Sequence, residues 1–506
     1  MGRALKRAEE HIALALAAAV LCATALLPFL AVIAGAPISG LTPLVSVTPW
    51  LLLLRTCALA AAVTACAVLL GVPLGIVLGR ADVPGRRAAL VLHVLPAFLP
   101  PFLMALGWFY LPHPDALFSP AGAIGVETIA FTPIVTALVA LGVQSIDPSI
   151  EEAARLSAPP WKVAIRILLP VTWPATALGA LLVFTLSMAE LGVPMFLRIR
   201  AYPAVVFARL GAIAYAPGEA AVLALPLLIV AAALLAIERR IGARSFAVLG
   251  LRSEERPAFR LGPLRRLVTL ACWLVAVVSV LPIVGLASRA LRGNGFAQVG
   301  DWIGAGVQNS VVPAAIAATL LTAVGLVLGR SVARQRPGSA WVDALAVLAF
   351  ITPAAVLGVG IIEVWNRPAT SGVYRSIVIL VVGLAARYAV IPSRAIAVGI
   401  AQGSPHLEEA AALHGAGFLL RLWRIVVPLH RRALLGAWLL AFVFCLRDLE
   451  TVVLFYPPGS APLTVRILTL EANGAPPVVA ALSLVHCGIV AAAIAVGVLA
   501  LAGARR

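Results

Sequence analysis

The chain has 506 residues, of which 62% are hydrophobic and only 12% are charged, and its mean hydropathy is +1.05. A soluble domain cannot hide that much apolar side chain from water, so the composition excludes one and predicts a protein that crosses a membrane several times. The formal net charge of +17 does not indicate a nucleic-acid partner, because the basic residues lie in short loops between apolar runs, where anionic lipid heads supply the counter-charge. The six cysteines lie within apolar runs without paired spacing, so we predict neither a disulfide nor a metal site.

The apolar runs predict about twelve transmembrane helices, because a helix needs roughly 20 apolar residues to cross a bilayer. The first run is too long for a signal peptide and is predicted to remain as a span. The runs lie at 12–34, 52–79, 88–111, 123–146, 171–197 and 219–238, and then at 267–290, 308–329, 342–364, 376–400, 433–456 and 477–503. The predicted fold class is therefore an all-α integral membrane protein.

Two sets of six runs indicate an internal duplication. The sequence Val-Leu-Gly-Arg ends the second run at Arg80 and recurs at the end of the eighth run at Arg330. A basic, polar stretch at 239–266 separates the two sets. We therefore predict two tandem six-helix repeats: a first unit at 1–238, this linker, and a second unit at 267–506.

Arginines determine the predicted orientation, because loops rich in Lys and Arg stay in the cytoplasm. The loops near 35–50 and 112–122 hold neither residue, whereas those around 80–87, 155–166, 239–266, 330–336 and 421–424 are basic. Both termini, the linker and the loops at 151–170 and 408–428 are therefore predicted to be cytoplasmic.

The loop at 408–428 is a polar, partly helical interruption between two long apolar runs. It reads Glu-Glu-Ala-Ala-Ala-Leu-His-Gly from Glu408 to Gly415 and continues to Ile-Val-Val-Pro, ending at Pro428. Glu and Ala favour helix, acidic residues suit a first helical turn, and Gly415 can end the helix with a positive φ. We expect a short helix, a sharp turn and a second helix starting near Pro428, which together form a knob that fits a groove on another protein.

A weaker copy of this loop lies upstream, from Glu151 to Pro170. Read from Glu152, it has Ala158 in place of the glycine and is one residue short before the proline. Read from Glu151, the spacing is right, but Glu152 replaces the first alanine and Ser157 replaces the glycine. The two copies occupy matching places in the two predicted units.

The two copies resemble the EAA loop of importer-type ABC transporter permeases, whose pattern is E-A-A-x3-G-x9-I-x-L-P. The second copy matches at Glu409, Ala410, Ala411, Gly415, Ile425 and Pro428, with Val427 where the family usually has Leu. The resemblance implies two fused permease units and two copies of a separate ABC ATPase that dock on the two loops. The docking residues that it implies are Glu151, Glu152, Ala153, Ala154, Ala158, Glu409, Ala410, Ala411 and Gly415.

The resemblance also implies an ATP-driven importer in the bacterial inner membrane, which receives cargo from an extracytoplasmic substrate-binding protein. The chain has no Walker A pattern, so ATP hydrolysis is assigned to the separate subunit, and the chain itself is predicted to be neither an enzyme nor the holder of a cofactor. The sequences at 447–450 and 456–459 look most like the ferric-iron group of such permeases. Thiamine or another small polar solute is the alternative cargo.

Two acidic residues, Glu190 and Asp448, recur inside apolar runs, each 20 residues after the proline of its EAA-like loop. A charge within hydrocarbon costs at least about 2.5 kcal/mol, so such residues face a cavity or a partner. A helix of that length would place them about 30 Å from the cytoplasm. We predict that Glu190, Asp448, Glu450 and Arg447 line the translocation path near its outer end. The alternative is a structural ion pair of Arg447 with Asp448 or Glu450.

Prolines and glycines predict interruptions in several spans. Pro100 and Pro101 should bend the third span, and Pro353 should bend the ninth. Gly192 and Pro194 predict a broken helix just after Glu190, which exposes backbone only if it lines a cavity.

A secondary transporter of the major facilitator type is the rival class. Its basic motif after the second span, G-x3-D-R-x-G-R-R, is matched in part between Asp82 and Arg87. The Arg expected after Asp82 is missing, and Leu78 stands where a Gly is expected. The two EAA-like loops therefore make the ABC importer the leading hypothesis.

Overall fold

The computed structural model of the chain describes residues 2–37, 42–112, 114–146, 156, 159–210, 216–245 and 261–503. Within these residues, eight helices are long and apolar enough to cross a membrane, and four further pairs of helices bend by more than 40° at a break. Counting each bent pair once gives twelve crossings. The predicted all-α, multi-pass membrane fold is confirmed.

The main helices are numbered in chain order. They are α1 (Glu9–Gly35), α2 (Val47–Arg80), α3 (Arg86–Phe98), α4 (Pro101–Phe109), α5 (Pro120–Gln144), α6 (Ala164–Ala189), α7 (Gly192–Phe196), α8 (Tyr202–Arg209), α9 (Pro217–Ile241), α10 (Gly262–Arg292), α11 (Gly306–Ala333), α12 (Ser339–Ile351), α13 (Ala354–Trp365), α14 (Val378–Tyr388), α15 (Val390–Ala401), α16 (His406–Leu413), α17 (Phe418–Leu429), α18 (Arg431–Arg447), α19 (Leu463–Asn473) and α20 (Pro476–Gly503). We call α1–α9 the first set and α10–α20 the second set.

Proline breaks the third and the ninth predicted spans. The axis turns by 104° between α3 and α4 and by 108° between α12 and α13. In both breaks the residue before the proline, Leu99 or Thr352, is extended, because a following proline disfavours helical backbone there. The predicted bends are confirmed, and each of the spans predicted at 88–111 and 342–364 is a sharply broken pair.

Two further spans end earlier than predicted. The spans expected at 171–197 and 433–456 are α6, which ends at Ala189, and α18, which ends at Arg447. The next residue in each case, Glu190 or Asp448, takes an extended ψ of 128° or 126°. Its carboxylate accepts backbone N–H groups a few residues ahead, which replaces the hydrogen bonds of a continued helix.

Local details recur at matching places in the two sets. A single π-helical turn precedes the proline of each EAA-like loop, at Ala164–Leu168 and at Leu422–Val426. The Thr56 hydroxyl accepts the N–H of Tyr202 at the start of α8, and the Ser310 hydroxyl accepts the N–H of Leu463 at the start of α19. These pairs support the duplication that the sequence predicts.

The first helix of each set packs against the broken helix of the other set. A Cβ on Gly360 of α13 would lie 2.3 Å from the carbonyl oxygen of Pro28 in α1. In the mirrored contact, a Cβ on Gly107 of α4 would lie 2.3 Å from the carbonyl oxygen of Pro282 in α10. Only glycine allows the two backbones to approach so closely.

The second EAA-like loop lies on one face of the protein, which we call the loop face, because its Glu408 pairs with Arg330 at the end of α11. The end of α9 in the first set lies beside the start of α12 in the second set. Arg239 and Asp343 form an ion pair of 3.1 Å there, and Arg394 of α15 forms ion pairs with both Asp343 and Glu238.

Replacing Gly360 by valine should destabilise the fold, because the added atoms meet the backbone of α1, which cannot move aside as a flexible side chain can. We expect a loss of at least about 1–3 kcal/mol, seen as a lower melting temperature of the purified chain in detergent. Gly488→Val on α20 is the matched control, since a Cβ there meets open space. Equal melting temperatures of the two variants would contradict the crossing contact.

Candidate coupling loop and translocation path

The second EAA-like loop has the predicted form. Its residues form α16, with Glu408 and Glu409 in the first turn. Gly415 follows with a φ of +97°, and the N–H groups of Gly415 and Ala416 bond back to carbonyls of the helix. The chain then reverses into α17. The predicted short helix and glycine turn are therefore confirmed. The second helix was expected to start near Pro428 but starts ten residues earlier, at Phe418, because the chain reverses directly after Gly415, and Pro428 lies near the end of α17.

Glu408 anchors this loop to the rest of the protein. Its side chain is buried and accepts hydrogen bonds from Arg330 Nε at 2.9 Å and from Arg334 Nη2 at 3.2 Å. Burial alone would raise the pKa of Glu408, but the charges and hydrogen bonds of the two arginines hold it below its usual value of 4.5. The pair therefore contributes stability above that pH and loses it as the pH falls through the lowered pKa.

The opposite face of α16 points away from the protein. Glu409 is 64% exposed and lies 3.6 Å from His406, and Ala410 beside it is also exposed. Leu413 is 80% exposed. Leu407 of the same helix is also exposed, and several large apolar side chains in the open on one loop are typical of a surface that another protein covers.

The predicted residues of the first loop lie outside the described part of the chain. They are Glu151, Glu152, Ala153, Ala154 and Ala158. Arg80, which corresponds to Arg330, is buried and donates hydrogen bonds to the carbonyl oxygens of Val143 at 3.1 Å and Ile146 at 2.5 Å.

A second group of charges lies between the two sets of helices. We call it the central cluster; its members are Glu127, Glu190, Arg387, Arg447, Asp448 and Glu450. It brings together α5 and α6 of the first set and α14 and α18 of the second set. The four predicted path residues are thus found in one place.

Glu190 and Asp448 hold equivalent positions in this cluster. Glu190 Oε1 accepts the N–H of Val193 at 3.1 Å. Asp448 Oδ1 accepts the N–H of Thr451 at 2.8 Å and that of Val452 at 3.2 Å. Each carboxylate therefore closes the break after its own long helix, and each is buried.

Arg387 of α14 supplies the ion pair of the cluster. Its Nη2 lies 2.5 Å from Glu450 Oε2, and its Nε lies 3.9 Å from Asp448 Oδ2. Arg447, which the sequence suggested for this role, donates instead to the carbonyl oxygen of Ala97 at the broken end of α3. The expected ion pair exists, with a different arginine.

Glu127 is a member of the cluster that the sequence analysis missed. It is fully buried on α5, and the Ser187 hydroxyl donates a hydrogen bond to its Oε2. Its Oε1 has no hydrogen-bond partner among the described residues. The charges of Glu190 and Glu450 lie close enough to act on this carboxyl group. A lone acidic residue in the apolar run at 123–146 was the available signal.

The cluster lines a narrow cavity under the broken helices. Glu190, Arg387 and Glu450 lie in its wall beside Pro100 of the α3–α4 break. The accessible volume is about 20 Å³, room for about one water molecule. Among the described residues, no three His, Cys, Asp or Glu side chains are arranged to hold a metal ion.

The cluster lies inside the helical layer. Glu127 is seven residues from the start of α5, about 10 Å along the helix, and Arg387 is nine residues from the start of α14, about 14 Å. Both helices start on the face opposite the loop face.

The fold and these two sites define a multi-pass membrane protein with an exposed loop helix, α16, and a closed, charged cavity between two sets of helices. No family model matches the chain. The chain is 25% identical over 426 residues to the ferric transport system permease protein FbpB of Actinobacillus pleuropneumoniae, covering 76% of this chain and 61% of that protein. It is 26% identical over 415 residues to the ferric transport system permease protein FbpB 1 of Haemophilus influenzae, covering 73% and 65% respectively.

The chain thus spans less than two thirds of the length of these two relatives. The molybdenum transport system permease protein ModB of Escherichia coli is 32% identical over 153 residues, covering 26% of this chain and 65% of that protein. This permease therefore matches one part of the chain. These similarities confirm the resemblance to importer-type ABC permeases with two fused units.

Removing Arg387 should destabilise the cluster more than removing Arg387 and Glu450 together. Arg387→Gln leaves Glu450 without its buried counter-charge, which costs about 3–5 kcal/mol. Arg387→Gln combined with Glu450→Gln removes both charges, so part of that loss should return. Melting temperatures of the two single variants and the double variant in detergent measure this. Additive losses would contradict the ion pair.

Proposed function

We propose that this chain is the membrane-spanning permease subunit of an ATP-driven importer, and that its cargo is ferric iron. The observation that carries the proposal is α16, a short helix whose buried Glu408 fixes it to the protein while Glu409 and Leu413 point outward. An anchored helix with one free face can transmit force from a partner that binds it. Its residues follow the EAA pattern of importer permeases.

Two copies of a separate ATPase subunit bind the loop face in this proposal, one at each EAA-like loop. The loop face is then the cytoplasmic face, because the basic loops between spans belong there. Both termini and the linker at 239–266 lie on that side, in a bacterial inner membrane. A substrate-binding protein delivers cargo to the opposite face, and anionic lipid heads surround the arginines at the helix ends.

The two sets of helices act as the two permease units, 1–238 and 267–506, and the central cluster lies on the path between them. The crossed contacts of Pro28 with Gly360 and of Pro282 with Gly107 support this division, since each unit then contributes one helix to the other. The cavity is closed, and the Arg387–Glu450 pair holds its wall together. Opening the path requires this pair to separate.

The charge of the cluster favours a cation. Four carboxyl groups face two guanidinium groups, and carboxylates in excess of arginines are costly in a buried site unless protons or a positively charged solute neutralise them. An anion of the molybdate type would be repelled. The ferric permeases are also the relatives that match about three quarters of this chain.

Gly415→Val should uncouple the ATPase. Valine strains a backbone with a φ of +97°, by about 1–3 kcal/mol, and would displace the turn after α16. Gly459→Val is the matched control, because Gly459 also has a positive φ, of +77°, and open space around it, but lies away from α16. In vesicles holding the full transporter, we expect Gly415→Val to hydrolyse ATP with little uptake and Gly459→Val to keep the wild-type ratio. A similar loss in both variants would count against a coupling role.

Glu190→Gln should lower uptake while the chain still folds. Glutamine keeps the acceptor for the N–H of Val193 but removes a charge from the cavity wall, so uptake of ferric ion should fall about ten-fold, equivalent to about 1.4 kcal/mol. Glu363→Gln is the control, since Glu363 pairs with Arg367 near the end of α13, away from the cavity. Unchanged uptake by Glu190→Gln, with unchanged melting, would remove Glu190 from the path.

A further inference from the structure

The start of α1 is attached to the second EAA-like loop, although about 400 residues separate them in the chain. Glu9 Oε2 accepts the N–H of Phe418, the first residue of α17, at 2.6 Å. Glu10 Oε1 lies 2.9 Å from Arg421 Nη2, and Glu10 Oε2 lies 2.9 Å from Arg336 Nη2. We call Glu9 and Glu10 the N-terminal clamp.

The clamp shares an arginine with the anchor of α16. Arg330 Nη2 lies 3.4 Å from Glu10 Oε1 and 2.8 Å from Glu408 Oε2, and its guanidinium lies over the ring of Phe418 at 5.1 Å. Arg330 and Arg421 are both buried. One buried arginine therefore links α1, α16 and α17, and the loss of either carboxylate leaves positive charge in excess.

The same helix reaches the broken pair beside the central cavity. Pro28 of α1 lies against Gly360 of α13, and the distance from Glu10 to Pro28 along the helix is about 27 Å. α1 thus touches the loop at one end and, further along, α13, whose first residues lie beside Glu450 of the central cluster. A displacement of α17 has a direct mechanical route to α13 through this helix.

The corresponding helix of the second set is held differently. At the start of α10, the N–H of Leu261 bonds to Asp82 Oδ1 at 2.9 Å, and Arg265 Nε lies 3.5 Å from Asp82 Oδ2. Asp82 belongs to the connection between α2 and α3. Within the described residues, α1 binds the second EAA-like loop, whereas α10 binds the connection between α2 and α3.

We propose that Glu9 and Glu10 are positioning residues that fix the orientation of the second coupling loop, so that α1 carries motion between the ATPase contact and the path. This rests on the proposed function, which makes 408–428 an ATPase contact.

Hydrogen exchange in the purified full chain tests the clamp without any partner. We expect Glu10→Gln to speed exchange of the amides at 406–421 about ten-fold, since the loop loses a buried counter-charge, and Glu10→Asp to keep most of the protection. Arg265→Gln, which removes the ion pair at α10, is the matched control and should leave 406–421 unchanged. Unchanged exchange in Glu10→Gln, or faster exchange throughout the chain, would overturn the proposal.

Coupling in vesicles separates positioning from mere stability. With the ATPase and binding protein present, Glu10→Gln should bind the ATPase as wild type does but hydrolyse at least about three times more ATP per ferric ion imported. An unchanged ratio in a variant with a loosened loop would overturn the transmission role. If the wild-type chain binds no ATPase, the proposed function fails, and the exchange experiment alone decides whether the clamp holds the loop.

Discussion

A charge buried among apolar helices has to meet an opposite charge or a hydrogen-bond partner, because isolated charges cost several kcal/mol there. This constraint determines where distant parts of the chain meet. Arg330 joins α16 to α1 at the loop face, Arg394 joins α15 to the end of α9, and Arg387 joins α14 to the break after α18. Burial of apolar side chains stabilises the packing of the helices, but these arginines determine the register in which the helices pack.

The second constraint is steric and lies at the crossing of α1 and α13 and of α10 and α4. Glycine lets the backbones touch at Gly360 and Gly107, so each set is locked into the other. The helix that makes one of these crossings also holds the second coupling loop through Glu10. Loop, crossing and cavity wall therefore form one connected structure, and a proposed transport cycle has to move them together.

Sequence patterns predicted the features that depend on local chemistry. Apolar run lengths predicted twelve crossings, Pro353 predicted a broken span, and Gly415 predicted the turn of the loop. The recurrence of Glu190 and Asp448 correctly indicated two equivalent buried carboxylates.

Partners across the fold could not be predicted, because they depend on how helices cross. Arg387 donates a hydrogen bond to Glu450, which is 63 residues away in the sequence. Arg421 donates one to Glu10, which is 411 residues away. The sequence offered Arg447 as the ion-pair partner of Asp448 or Glu450. At the end of α18, however, its guanidinium donates to the carbonyl oxygen of Ala97. Glu127 was signalled only as a lone acidic residue in an apolar run, and its partner Ser187 could not be predicted.

The central claim, that this chain is part of an ATP-driven importer, is tested most directly by finding which energy source drives uptake. The measurement is uptake of radioactive ferric ion, delivered by its binding protein, into vesicles that hold this chain and the ATPase. The account predicts that uptake needs ATP on the side of the loop face and continues when ion gradients are abolished. Uptake that follows an imposed proton or sodium gradient without ATP would contradict it and favour a secondary transporter.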